Sequence, residues 1–335
     1  MPFLEKRNEP IENDTRASRG IGTESAAHWT HDVYVPGSAS RDAARRSPQR
    51  NTTKQSCGNP ECTKSWTMPW KNRRRPIFEG RWGCSTRCLE AVIHRALRRE
   101  RGDLRPVGSE DQDVPHQHRI PLGLVMLSQG WISQTQLRTA LEAQRLAGTG
   151  RIGEWLVQES GVTSAQITRG LATQWSCPVL PIDGFAPSAM ALTMPRLFIE
   201  RLGLLPLRIA SSRILYLAFN DRLDASAALA VEQMSGLRVE SGLLDDSHYE
   251  QARQRLLGSE FIQTNEESFQ DAEGLSSRIA TILEASQPLG SRLVRLHKHY
   301  WLRTWLETGA YGDVGTLPST GEDVTDTLFT LGRQD

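Results

Sequence analysis

From Pro121 to Gln144 the chain reads PLGLVMLSQGWISQTQLRTALEAQ, and from Arg151 to Gln174 it reads RIGEWLVQESGVTSAQITRGLATQ. Laid over each other without a gap, the two keep Gly123/Gly153, Gln136/Gln166, Leu141/Leu171 and Gln144/Gln174. They exchange like for like at Leu122/Ile152, Leu127/Val157, Ile132/Val162, Ser133/Thr163 and Leu137/Ile167. A duplicated structural unit is the simplest cause. In each copy a short apolar helix pattern runs to a glycine stop, and a Ser or Thr N-cap opens a second apolar helix pattern. Each copy is expected to be a helix pair, and two pairs can share one core.

Past the repeat the periodicity changes. PVLPI reads as a short strand, APSAMALTMPRLFIERLG as mainly helix up to a glycine, and LLPLRIAS and RILYLAFN as strands joined by a tight polar turn. DASAALAVEQMSG and DDSHYEQARQRLLG each carry an Asp cap and a Gly stop around a helix pattern, with the strand LRVESGLL between them. This predicts helices on a sheet of three or four strands. Beyond Gly258 a polar stretch precedes LSSRIATILEASQPLGSRLVRLHKHYWLRTWLE, read as two helices broken at Pro288. Leu289, Leu293, Leu296 and Tyr300 follow helical spacing, with Trp301 and Trp305 in a second stripe. The tail either packs on the preceding domain or binds a partner.

Before the repeat, the cysteines define another module. Cys57 and Cys62 close the turn CGNPEC, and Cys84 and Cys88 open the helix pattern CSTRCLEAVIHRALRRE. Four thiolates in two close pairs suit one tetrahedral Zn2+ with no position left for water, which makes the ion structural rather than catalytic. A knuckle followed by a helix looks like a treble-clef finger, although its spacings of four and three depart from the commoner pairs of two. A disulfide framework would need an oxidising compartment. So small a module has too little core to fold unaided. Cys177 reads as a buried small apolar residue. Lys71 to Arg101 holds ten Lys or Arg against three Glu, with Trp70, Phe78 and Trp82. That stretch is either a solvated or protein-docking face or, as the rival reading, a nucleic-acid contact.

The tandem pattern xLGxxLLxxGxIxxxQLxxALxxQ resembles the N-terminal domain of the secretion ATPases of type II secretion and type IV pili, the MshE-like or general secretory pathway E N-terminal domain. The resemblance runs on to about Leu257, a little under half the chain. It implies a domain that docks on a membrane-platform component or a related ATPase and that, in some members, binds cyclic di-GMP. In those members the motif opens with an Arg for the guanine edge, and its glycines admit the ligand to the backbone. Carried over, the nucleotide residues are Arg119, Leu122, Gly123, Gly130, Arg151, Ile152 and Gly153. Arg151 and Gly153 keep the pattern in the second copy. The first copy opens with Pro121, and Ser160 replaces the second copy's later glycine. Arg119, two residues early, is the possible substitute anchor.

Composition bounds the rest. The chain has 335 residues with 40 basic and 39 acidic side chains, so global charge favours no polyanionic partner. The start MPFLEKRNEP lacks an apolar h-region and no 18-residue apolar run occurs, so a cytoplasmic protein with no transmembrane segment is expected. No G-x-x-x-x-G-K-[ST], G-x-S-x-G or H-E-x-x-H is found, so no catalysis is expected.

Together these readings predict an α+β protein. Residues 1–53 form a disordered region that includes Trp29 and Tyr34, and 54–101 the four-cysteine zinc finger. A linker at 102–118 carries the exposed His116 and His118. The tandem helical repeat spans 119–176 and a small α+β subdomain 177–258. A linker at 259–274, a helical tail at 275–308 and a loose C-terminus at 309–335 complete the chain. The function expected is that of a non-catalytic adaptor acting by protein docking. A cyclic di-GMP receptor with a partly degraded site and a zinc-dependent nucleic-acid regulator are the alternatives.

Overall fold

A computed structural model describes residues 57–63, 77–102, 119–210, 213–220, 222–306, 318 and 320–332. The expectations for residues 1–53, for nearly all of the linker 102–118 with its two histidines, for Trp70 and for 309–317 lie outside these residues. The architecture is α+β. A small hairpin, β1 (Ile77–Phe78) and β2 (Arg81–Trp82), leads into α1 (Thr86–Arg101). The hairpin turn is Glu79–Gly80, both at positive φ (47° and 74°). α1 is capped by Ser85, whose side chain accepts from the Cys88 amide, and stops at Gly102 at φ 86°.

The repeat folds as four helices, α2 (Leu122–Ser128), α3 (Gln134–Ala147), α4 (Ile152–Ser160) and α5 (Ser164–Trp175). Ser133 and Thr163 are the N-caps of α3 and α5, and each forms a capping box with the glutamine three residues on, Gln136 and Gln166. The copies then exchange partners, with α3 against α4 and α2 against α5. Two equivalent glutamines seal the exchange. Gln144 Nε2 donates to the Gly150 carbonyl at the head of the second copy, and Gln174 Nε2 donates to the Ile120 carbonyl at the head of the first. The copies differ at one stop: α2 ends before Gly130 (φ 67°), whereas α4 runs on through Ser160 to Gly161 (φ 65°).

The next unit carries α6 (Pro187–Met190), α7 (Arg196–Leu202), β3 (Leu205–Ala210), β4 (Ile214–Phe219), α8 (Ala225–Ser235), β5 (Arg238–Leu243) and α9 (Asp246–Leu257). Its sheet has the order β3-β4-β5, antiparallel then parallel. The strand expected at PVLPI is reduced to one bridge, Val179 to Leu243.

The C-terminal third corrects the sequence reading. The expected linker contains β6 (Thr264–Phe269) and the start of α10 (Ala272–Ser286), which ends just before Pro288 as expected. The second half of the expected helical tail is instead a hairpin, β7 (Gly290–Leu296) and β8 (His299–Trp305). The expected loose end contains β9 (Val324–Leu331). These strands form one sheet in the order β6-β9-β8-β7. Every residue of β8 is buried, because the sheet is covered on both faces. Leu293, Tyr300, Leu302 and Phe329 pack with α1 and α10. Leu296, Trp301, Trp305 and Leu328 join the core of the middle unit. A strand buried on both faces reads as a continuous apolar run, so the helical spacing of Leu293, Leu296 and Tyr300 was fortuitous.

Candidate functional site

The four expected metal ligands converge. Gly58 N donates to the Trp82 carbonyl, tying the first cysteine turn to β2. A Cβ on Gly58 would lie 2.8 Å from Arg81 Cβ, and one on Gly83 2.8 Å from the Leu89 backbone nitrogen, so both approaches need glycine. The result places the Sγ atoms of Cys57, Cys62, Cys84 and Cys88 within 4.8 Å of one another. Cys62 and Cys88 stand 3.5 and 3.6 Å from Cys84 Sγ. A tetrahedral zinc with sulfur ligands needs S–S edges of about 3.8 Å, so the donor set and its spacing fit such an ion. No cysteine among the described residues is in a disulfide.

Polar groups around the sulfurs are arranged for thiolate. The Cys84 amide points to Cys57 Sγ at 3.4 Å, and Asn59 Nδ2 to Cys88 Sγ at 3.5 Å. The Asn59 amide, with the Ser85 hydroxyl, lowers Cys88 to about 7. Burial, reinforced by hydrogen bonds to Cys62 and Cys88, pushes Cys84 up to about 12. Sulfurs this crowded resist carrying charge together unless a cation sits among them.

Next to the finger, the basic stretch is interrupted by acids. Arg99 pairs with Glu79 at 2.7 Å and with Glu100 at 2.8 Å. Arg95 and Arg98 share a groove with Glu61, Glu90 and Glu273. Among the described residues these charges make no uniformly basic face.

The residues expected to hold a nucleotide divide. Leu122, Arg151, Ile152 and Gly153 line one groove of about 590 Å3, formed by the start of α2, α4, α5 and two residues of the middle unit, Arg222 and Asp246. Arg119 stacks its guanidinium 3.5 Å from the centre of the Trp175 ring, which lines the same groove. Arg151 Nε donates to Glu154 Oε1 at 3.0 Å, which holds the Glu154 carboxyl below its usual range.

Gly123 and Gly130 do not line the groove. A Cβ on Gly123 would stand 2.6 Å from Leu137 Cδ1, and one on Gly153 3.0 Å from the repeat-equivalent Ile167 Cγ2. These paired glycines let the two helices of each copy approach closely. Gly130 is a left-handed helix stop with open space around it. Trp175, Gln174, Thr168, Arg222 and Asp246 were missed because they enter the groove from outside the motif's opening residues.

Large apolar side chains are also exposed on the repeat and its lead-in: Ile120 is 61% exposed, Leu124 52% and Leu146 89%, with Leu141 and the groove-lining Val157 exposed as well. No helix among the described residues is long and apolar enough to cross a membrane.

No family model and no curated protein matches the chain. Solved structures that resemble part of it include MshE with cdg, at 26% identity over 41% of this chain and 99% of that one, with a TM-score of 0.34. The N-terminal domain of XpsE is similar in two crystal forms, both at 18% identity. One covers 41% of this chain and 94% of that one with a TM-score of 0.30, and the other 39% and 91% with a TM-score of 0.24.

Proposed function

We propose that the chain is a non-catalytic adaptor whose tandem helical repeat docks on a protein partner, and whose four cysteines hold a structural zinc ion. The observation that carries the docking reading is the concentration of exposed large apolar residues on the repeat and its lead-in. Burying one leucine of this kind contributes about 1.5 to 3 kcal/mol, so Leu124 and Leu146 are the anchors we assign. The motif's resemblance to secretion-ATPase N-terminal domains directs the search toward a platform component or a motor ATPase. Affinity capture with the full chain, compared with a Leu124→Glu/Leu146→Glu variant, tests this. One such partner should be captured by the unmodified chain and lost from the variant. Equal capture by both moves the docking surface elsewhere.

When bound, zinc would act here as a closed four-thiolate staple, with Cys57 and Cys62 anchoring the knuckle and Cys84 and Cys88 the start of α1. Asn59 and the Cys84 backbone amide orient two of the sulfurs. About one zinc per chain is expected by metal analysis of protein prepared without added zinc.

The groove beside Arg151 favours a second reading, that of a cyclic di-GMP receptor. Arg151 stands at the head of the second copy, but the repeat-equivalent position is Pro121, which offers no donor. Calorimetry with cyclic di-GMP is expected to show weak binding or none. Pro121→Arg should strengthen it by about 1 to 3 kcal/mol, the value of one bidentate contact to guanine. Tight binding by the unmodified chain that is lost in Arg151→Ala would place the receptor reading first.

A further inference from the structure

Strand β7 is an edge strand of the C-terminal sheet, and its outward backbone groups are covered by the finger. β8 occupies one side of β7 through the register Gly290↔Trp305 to Leu296↔His299. On the other side, the Leu293 amide donates to Glu79 Oε1 at 3.3 Å and the Arg295 amide to Glu100 Oε2 at 3.0 Å. Arg99, itself paired with Glu79, donates to the Leu293 carbonyl at 3.4 Å. Ser291 completes the seam: its hydroxyl donates to the Ile77 carbonyl at 2.9 Å and accepts from the Glu79 amide at 3.3 Å. An edge of free amides and carbonyls is the part of a sheet that pairs with foreign strands, and charged side chains laid along it block that pairing.

One of the covering carboxylates, Glu79, depends on a small support, whereas Glu100 lies in the last turn of α1, which packs on α10. Glu79 sits in the turn of a hairpin with two residues per strand, which has no stability of its own. The hairpin is held between the Cys57–Cys62 turn, through the Gly58 to Trp82 hydrogen bond, and α1, whose first turn carries Cys88. Those two supports meet at the four sulfurs, where Asn59 also reaches Cys88, and at Val92 beside Gly58, while the hairpin's own Phe78 is buried with Leu89, Ile93 and Leu293.

From this geometry we infer that the four-cysteine finger is a metal-held cover for the β7 edge: bound metal keeps Glu79 on the amide of Leu293, and metal loss uncovers that part of the edge while the middle unit stays folded. The inference rests on the zinc reading above. It predicts a local opening, because β3 and β4 are buried in a separate core that contains no described residue of the finger.

Hydrogen exchange read by mass spectrometry on the full chain, zinc-loaded and then stripped by chelator under reducing conditions, tests it. Peptides covering residues 77–82 and 290–296 should exchange at least about tenfold faster after stripping, with residues 205–219 unchanged. Glu79→Ala should speed exchange at 290–296 with zinc content intact, and Glu79→Gln, which keeps an acceptor oxygen, should restore most of the protection. Unchanged protection of 290–296 in both the stripped chain and Glu79→Ala overturns the inference and leaves the zinc reading standing. Loss of protection through 205–219 also overturns it, since the metal would then stabilise the whole fold. A chain that binds no metal overturns both.

Discussion

Asp326 is fully buried near the start of β9 and accepts three hydrogen bonds: from Trp301 Nε1 and Arg303 Nε at its Oδ1, and from Arg303 Nη2 at its Oδ2, each at 2.8 Å. The remaining Arg303 nitrogen, Nη1, donates to the carbonyls of Leu192 and Thr193 in the middle unit. The ion pair therefore stitches the C-terminal sheet to the segment between α6 and α7, beside the edge-on contact of Phe198 with Trp301 at 5.3 Å. Breaking a buried pair leaves an uncompensated charge, which costs far more than an exposed pair is worth. Asp326→Ala is expected to destabilise the chain by about 3 to 5 kcal/mol, measured by urea unfolding. Arg278→Ala, at the exposed pair with Glu267, should cost no more than about 1 kcal/mol. Sequence gives no hint of the buried pair, because Arg303 and Asp326 are brought together only by the strand register Arg303↔Asp326.

At the scale of elements, the repeat is the part in which local signals and final structure agree. Ser133 and Thr163 were legible as caps because a hydroxyl residue followed three positions later by glutamine satisfies two helix-end amides locally. Ser133→Ala and Thr163→Ala should each cost about 1 kcal/mol, and similar amounts, because the two caps have equivalent partners at nearly the same distances. Thermal or denaturant melts of the two single variants check this. The exchange of partners between the copies was not legible, because the sequence pattern is the same whether each pair packs on itself or on its neighbour. The hairpin β7–β8 was misread for a related reason. Period-2 alternation is visible only when one face is polar, and this sheet has an apolar layer on each side.

Over the whole molecule, the two ends of the described chain share one core. α1, from the finger, packs with α10 and with the sheet that β9 completes. β9 lies between β6 and β8, so it supplies the ladder of β6 and one of the two ladders of β8. A chain ending at Leu306 should therefore lose the pairing of β6 and of β8 with β9, and part of the platform on which α1 rests. Buried Trp301 and Trp305 then become wet. A red-shifted tryptophan emission and rapid exchange across residues 290–305 are expected, and a native emission spectrum would contradict the shared core. The sequence by itself determined the duplicated helices with their caps, the four cysteines of the finger and the small sheet of the middle unit. Each of these depends on neighbours within a few turns of chain, or on a ligand chemistry that spacing reveals. Only the tertiary structure decided the C-terminal sheet, the Arg303–Asp326 pair, the use of the repeat glycines for packing and the finger's place on the β7 edge. Those features come from strand register and from burial on two faces, which bring together residues that no local pattern links.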